Sequence, residues 1–286
     1  MKKILCKNKE LVLENRTLIM GILNITPDSF SDGGSFYKIE DALNYAKFLV
    51  DSGADILDIG GESTRPFSDF ITLEQEIERV IPVIKKISNK ISIPISIDTT
   101  KPEVAEEAIN SGASIINDIS GLNSNKNMLK VLSKYKPGLI LMHMKGTPKN
   151  MQVEPNYEDL FEEINKYLSL SIQKALSSNL PKESIIIDPG IGFGKSIIDN
   201  LSLIRNIKKL LKFEYPIMIG SSRKFFIRKL LSYLSENSLS PKSEIVEIGT
   251  QASVAAASIF GASIVRVHDV KKAKATLRII DAIKRV

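Results

Sequence analysis

The chain has 286 residues, 43% of them apolar, with one cysteine and a formal net charge of +6. That length suits one large domain with a substantial core, and the lone Cys6 excludes an intramolecular disulfide and fits a reducing compartment. The charge invites a nucleic-acid reading, but Lys85, Lys86, Lys208, Lys209, Lys271, Lys272 and Lys274 are scattered over helical stretches without aromatic interleaving. A solvated basic surface and no nucleic-acid partner are therefore expected.

Met1-Lys2-Lys3 is followed by only Ile4-Leu5-Cys6 before Lys7, too short for the apolar segment of a signal peptide. No run reaches membrane-spanning length, so a cytoplasmic protein without a membrane partner is expected. Residues 1–16, with Leu11-Val12-Leu13, read as a small hairpin or lid. Beyond them a short apolar run stops at a polar residue eight times. The first four runs are Leu18 to Leu23 before Asn24, Asp55 to Gly61 before Glu62, Ile93 to Ile97 before Asp98, and Ser114 to Ile116 before Asn117 and Asp118. The others are Gly138 to Met142 before His143, Ser184 to Ile187 before Asp188, Pro216 to Gly220 before Ser221 to Lys224, and Ser263 to Val265 before Arg266 and His268.

Such runs read as strands buried on both faces. Helical patterns alternate with them at about 40–52, 73–88, 102–111, 126–134, 157–178, 200–211, 224–235, 244–260 and 271–285. Eight βα units predict a single (β/α)8 barrel of the TIM type over residues 17–286, with an active face at the carboxyl ends of its strands. The polar stops should then converge on one mouth. Two connections are long, Ile25 to Ile39 and Ser63 to Thr72, and both read as lids over it.

A single Asp after a strand is often a helix cap. Thr99 or Thr100 can cap the helix that starts at Pro102, which frees Asp98 for another task. Asn117 and Asp188 can match the donor and acceptor edge of a flat heterocycle, or serve as structural hydrogen bonds. Gly190-Ile191-Gly192-Phe193-Gly194-Lys195-Ser196 imitates a phosphate loop but has Pro189 where a Walker motif needs glycine; close backbone approach to a flat ligand is the better reading. Ser221-Ser222-Arg223-Lys224 offers backbone donors and two cations to an anion, and Arg266 and His268 alternate so that their side chains point the same way, as phosphate ligands would.

Ordered along the chain, these segments resemble dihydropteroate synthases. Met20-Gly21-Ile22-Leu23-Asn24-Ile25-Thr26-Pro27-Asp28-Ser29-Phe30-Ser31-Asp32-Gly33-Gly34 is similar to the family's first signature, and Gly60-Gly61-Glu62-Ser63-Thr64-Arg65-Pro66 to its second loop. The likeness continues through Ser96-Ile97-Asp98-Thr99, Ile116-Asn117-Asp118, Leu141-Met142-His143-Met144, Asp188 to Lys195, Ser222-Arg223-Lys224 and Arg266-Val267-His268-Asp269-Val270.

The resemblance implies a folate-pathway transferase, a sulfonamide target, in which para-aminobenzoate attacks the methylene of 6-hydroxymethyl-7,8-dihydropterin pyrophosphate. It implies that Asp98, Asn117, Asp188, Lys224 and Gly220 hold the pterin, with Met142 and Phe193 packing nearby. Asn24, Arg266 and His268 would hold the pyrophosphate, Asn24 also contacting Mg2+, and Phe30, Thr64, Arg65, Pro66, Ser222 and Lys224 would frame the aminobenzoate. Asp98, Asp188, Lys224, Arg266 and His268 would carry the chemistry, and a homodimer is implied, with the small apolar stretch Gly249 to Gly261 suited to close helix packing between copies or within one. The chain departs from the family at Phe67, where a glycine commonly follows Arg-Pro. A methyltetrahydrofolate-dependent methyltransferase would share the pterin groups without needing the two loop signatures or the Arg266 and His268 site. A non-catalytic pterin-binding paralogue has only Phe67 in its favour.

Overall fold

Apolar residues at both parities of each short run leave a strand no solvent-facing side, so the strands must be covered on one face by helices and on the other by one another. The computed structural model, which describes residues 3–14, 16–26, 35–63, 70–147, 150–151, 155–234 and 238–286, shows that arrangement. After a hairpin of β1 (Lys3–Cys6) and β2 (Lys9–Val12), the order is β3 (Leu18–Asn24), α1 (Ser35–Asp51), β4 (Ile56–Gly60), α2 (Leu73–Ser88), β5 (Ile95–Asp98), α3 (Pro102–Asn110), β6 (Ile115–Asp118) and α4 (Met128–Tyr135). It continues with β7 (Gly138–Met142), α5 (Leu160–Ser177), β8 (Ile185–Asp188), α6 (Ile197–Arg205), β9 (Met218–Ile219), α7 (Phe225–Leu231), α8 (Glu244–Phe260), β10 (Ile264–Val267) and α9 (Val270–Ile283).

Strands β3 to β10 form an eight-stranded parallel sheet in the order β8-β7-β6-β5-β4-β3-β10-β9, and a parallel bridge between Ile187 and Ile217 closes it into the expected barrel. One side-chain parity faces outward: Ile19, Leu23, Leu57, Ile59, Ile97, Ile116, Leu139, Leu141, Ile187 and Val265 join the helices in one core. The other parity faces inward and divides by height. Leu18, Met20, Ile56, Ile115, Ile140, Ile186, Met218 and Ile264 fill the lower half, and Ile4, Cys6 and Leu11 of the hairpin pack onto them. The hairpin therefore plugs the end opposite the mouth. Lys7 and Lys9 tie it down by donating to the carbonyls of Ile109 at 3.1 Å and Ser92 at 2.7 Å. Burial pushes the Cys6 thiol up to about 12, which makes it an inert packing group.

Helix α6 begins earlier than the apolar pattern suggests, because Ser196 accepts from Asp199 N–H while the Asp199 carboxylate accepts from Ser196 N–H, a reciprocal cap. The chain beyond Arg205 then tightens into a 3-10 turn over Ile207–Phe213 instead of continuing as α-helix.

The plug yields a first expectation. Ile4→Ala, at a fully buried position, should lower the unfolding free energy by about 2–5 kcal/mol in a urea titration, and a loss below about 1 kcal/mol would mean that the hairpin is dispensable to the barrel.

Candidate active site

The sheet registers that fix the barrel also fix its mouth. Asn24 lies opposite Gly60, Gly60 opposite Asp98, Asp98 opposite Asn117, and Met142 opposite Asp188, so these carboxyl-end residues share one rim. Arg266 lies lower, opposite Met20 on β3, and its long side chain reaches Asp58 and Asp98.

What it reaches is a pair of carboxylates. Arg266 Nε donates to Asp58 Oδ2 at 2.6 Å and Arg266 Nη2 to Asp98 Oδ2 at 2.8 Å, while Asn117 Nδ2 donates to Asp58 Oδ2 at 3.2 Å. Asp58 is fully buried in the middle of β4. Asp58 Oδ1, Asn117 Oδ1 and Ser96 Oγ are buried without a hydrogen-bond partner among the described residues. Burial pushes the Asp98 carboxyl above its ordinary range, against the pull of Arg266.

Across the mouth, Asp188 Oδ1 accepts from Gly190 N–H at 2.7 Å, and its other oxygen has no partner among the described residues. Burial pushes Asp188 up to about 6, while Gly190 N–H, Lys224, Lys195 and Arg266 pull it back. The Lys224 ammonium hangs 3.9 Å from the Phe193 ring centroid and donates to no acceptor among the described residues. Burial, then Arg266, lowers it to about 8 against the attraction of Asp188 and Asp98. Met142 and Phe193 belong to one small apolar cluster with Ile119 and Met151.

The glycines of the 190–194 turn serve a close approach, but to the protein's own chain. At Gly190 (φ +72°) a Cβ would stand 1.9 Å from the His143 carbonyl oxygen, and at Gly192 (φ +80°) it would stand 2.9 Å from the Lys224 side chain. Gly220 has ordinary room beside Arg266.

The expected cation pair Arg223-Lys224 is divided. Arg223 turns away at φ 60° and pairs with Glu247 of α8 at 3.1 Å, leaving Lys224 alone to face the mouth. Nor do Arg266 and His268 form a free pair: Arg266 binds two carboxylates, and His268 Nδ1 lies 2.9 Å from Ser222 Oγ. Phe30, Thr64, Arg65, Pro66 and Phe67 lie outside the described residues, as does most of both long connections. At the root of the second, Lys101 bridges Glu62 at 2.6 Å and the buried Glu76 at 2.5 Å.

Sequence reasoning missed Asp58 and Lys195 as site residues. Asp58 had a signal, since a charge interrupts the apolar run Ile56-Leu57-Asp58-Ile59 at an inward-facing position. Lys195 is 3% exposed, its Nζ 3.0 Å from His143 Nδ1 and 2.9 Å from the Phe193 carbonyl oxygen.

A family model described as pterin binding enzyme matches residues 20–268. The dihydropteroate synthase of Synechocystis is 43% identical over 94% of this chain and 91% of its own length. The chain belongs to the dihydropteroate synthases. Among solved dihydropteroate synthases, that of Yersinia pestis in a sulfonamide drug complex superposes with a TM-score of 0.91 at 37% identity, covering 99% of this chain and 100% of the other. The Xanthomonas albilineans dihydropteroate synthase with 4-aminobenzoic acid gives 0.90 at 37% identity, covering 100% and 99%. The chain is accordingly a transferase of folate synthesis on a TIM barrel.

Removing Asp58 strips Arg266 of its shortest partner and leaves an Asn117 donor unmet. Asp58→Ala should cost about 3 kcal/mol, the scale for breaking a buried ion pair, measured by denaturant unfolding at neutral pH. A cost under about 1 kcal/mol would remove Asp58 from its organising position.

Proposed function

We propose that this mouth seats 6-hydroxymethyl-7,8-dihydropterin pyrophosphate with its pterin ring on Asp188, Asn117, Asp98 and Lys224 and condenses it with para-aminobenzoate, giving 7,8-dihydropteroate and pyrophosphate. One observation carries this placement. Asp188 Oδ2 and Asn117 Oδ1 are acceptors without partners among the described residues, and the Lys224 ammonium is a donor without an acceptor beside them. A pterin edge offers the complement, N–H donors next to a carbonyl and ring nitrogens.

The bond that breaks joins the pterin methylene to a pyrophosphate oxygen, and the bond that forms joins the same carbon to the arylamine nitrogen. As the leaving group departs, positive charge grows on the methylene and ring while negative charge grows on pyrophosphate. Asp188 and Asp98 stabilise the first. Arg266, held by Asp58 and Asp98, and His268, held by Ser222, stabilise the second together with Asn24. The arylamine attacks through its lone pair and sheds its proton after the new bond forms, so no strong base is required. Ser222 and Lys224 border the aminobenzoate, and Phe30, Thr64, Arg65 and Pro66 carry the rest of that assignment from the sequence alone.

Magnesium fits the donor set in one respect that the chain itself decides. Asn24 offers a hard amide oxygen at the rim, and no cluster of three or more His, Cys, Asp or Glu exists among the described residues. An ion held there would need its other ligands from pyrophosphate and water, the habit of Mg2+ rather than of a metal caged by protein. Bound so, it would neutralise charge on the departing pyrophosphate.

A homodimer has its best support on the outer helices. Gly249 is committed within the chain, since a Cβ there would meet Ile227 at 2.6 Å and Leu231 at 2.8 Å, but Ile198 on α6, Phe225 on α7 and Ile248 on α8 are exposed apolar residues on packed neighbours. No helix among the described residues is long and apolar enough to cross a membrane, which accords with a cytoplasmic site of action.

Pyrophosphate release should require both substrates and Mg2+. Asp188→Ala should lower kcat/KM by about ten- to a hundredfold, the scale of a lost charged acceptor; an unchanged value would sink the assignment. With Asp188 raised to about 6 and Lys224 lowered to about 8, kcat/KM for the pterin substrate should fall below about pH 6, where Asp188 takes up a proton, and above about pH 8, where Lys224 loses one. A flat profile from pH 5 to 9 would contradict those roles.

A further inference from the structure

The reaction uses Asp98, Asp188, Lys224 and Arg266 directly. Among the described residues, Asp58, Asp98 and Asp188 are opposed at the mouth by Arg266 and Lys224. Lys195 supplies the third cation from behind the site, almost fully buried.

Its contacts are specific. The Lys195 ammonium donates to the Phe193 carbonyl oxygen at 2.9 Å and faces His143 Nδ1 at 3.0 Å. Burial, with Lys195 and Lys145 nearby, pushes His143 down to about 2, so the ring is neutral, and the nitrogen facing an ammonium must be the acceptor. The His143 ring is fixed edge-on against Tyr167, 4.8 Å between centroids. The backbone N–H of His143 donates to the Asp188 backbone carbonyl at 2.9 Å. Lys195 is thus joined on one side to the residue whose ring lies under Lys224, and on the other to the backbone of Asp188.

Placing an ammonium there is expensive, and a methionine would fill similar space without the desolvation cost. The compensation is partial: burial lowers Lys195 to about 7, with Asp188 on β8 and Asp199 on α6 attracting its charge and Lys224 and Lys145 repelling it, so it is mostly an ammonium at pH 6.5 and mostly neutral at pH 8.5. Asp188 in turn faces Lys224, Arg266 on β10 and Lys195. Without the Lys195 charge, Asp188 loses one of three cations that oppose its burial.

We infer that Lys195 is a positioning residue for pterin recognition: its buried ammonium fixes the Phe193 turn and holds Asp188 as the carboxylate that the N–H edge of a pterin requires. The inference rests on the placement of the pterin at Asp188 and Phe193. Lys195 itself touches no substrate.

The test is the affinity for 6-hydroxymethylpterin, read by fluorescence titration at pH 6.5 and 8.5, for the wild type and Lys195→Met, with thermal melts to establish folding. With Asp188 at about 6, a one-unit rise of its pKa should weaken binding about threefold at pH 6.5 and hardly at all at pH 8.5, where Asp188 ionises unaided. The KM for para-aminobenzoate, at saturating pterin substrate, should stay within about twofold. Equal losses at both pH values would reduce Lys195 to packing and overturn the inference, as would no loss at either. If Lys195→Met does not fold, Lys195→Gln decides the matter, since it keeps a donor for the Phe193 carbonyl while removing the charge, and it should give the same pH-dependent loss. A wild type that binds no pterin overturns the placement and this inference together. A wild type that binds it, beside an unaffected Lys195→Met, overturns this inference alone.

Discussion

A guanidinium and two carboxylates taken out of water are stable only while each meets the other, and the mouth of this barrel is arranged around that requirement. Arg266 grips Asp58 with Nε and Asp98 with Nη2, so three strands, β10, β4 and β5, must hold their register to within a fraction of a side chain. A slip of one residue in any of them would turn its charge outward into the apolar layer beneath the helices. The lower half of the barrel makes the arrangement possible, because its inward positions are aliphatic and its end is plugged by Ile4 and Leu11 of the hairpin. Water and charge are thereby confined to the upper half.

That confinement sets the chemistry. In a partly dry cavity, carboxylates drift up and ammonium groups drift down until they can change protonation near neutrality, and Asp188 and Lys224 do so in opposite directions. A site with nearly balanced buried charge stabilises a transient cation and a departing anion without holding either tightly in the ground state. No nucleophile is needed for the same reason: leaving-group departure is the hard step, and fixed charges assist it.

Much of this was legible in the sequence because period-two burial leaves a simple trace. Eight apolar runs that each stop at a polar residue announce both the barrel and its rim, and Asp98, Asn117, Asp188 and Arg266 all lie where those stops place them. Asp58 was hidden because it sits within a run instead of after one, and only the strand's parity shows that it points inward. Lys195 was hidden by the glycines around it, which resemble a ligand-binding turn but exist to pass the carbonyl of His143 and the stem of Lys224. Arg223 misled for a backbone reason: a positive φ swings its side chain toward Glu247, which adjacency to Lys224 cannot reveal.

The central claim is that unpaired acceptors on Asp188 and Asn117, with the Lys224 ammonium near Asp188, are a pterin site. A crystal structure of the chain soaked with 6-hydroxymethylpterin tests it most directly. The account predicts a ring lying beside Phe193 with its N–H edge within hydrogen-bond distance of Asp188 Oδ2 and Asn117 Oδ1, and an acceptor of the ring meeting Lys224 Nζ. A pterin bound elsewhere, or bound in the mouth with Asp188 Oδ2 and Lys224 still unpartnered, would contradict it.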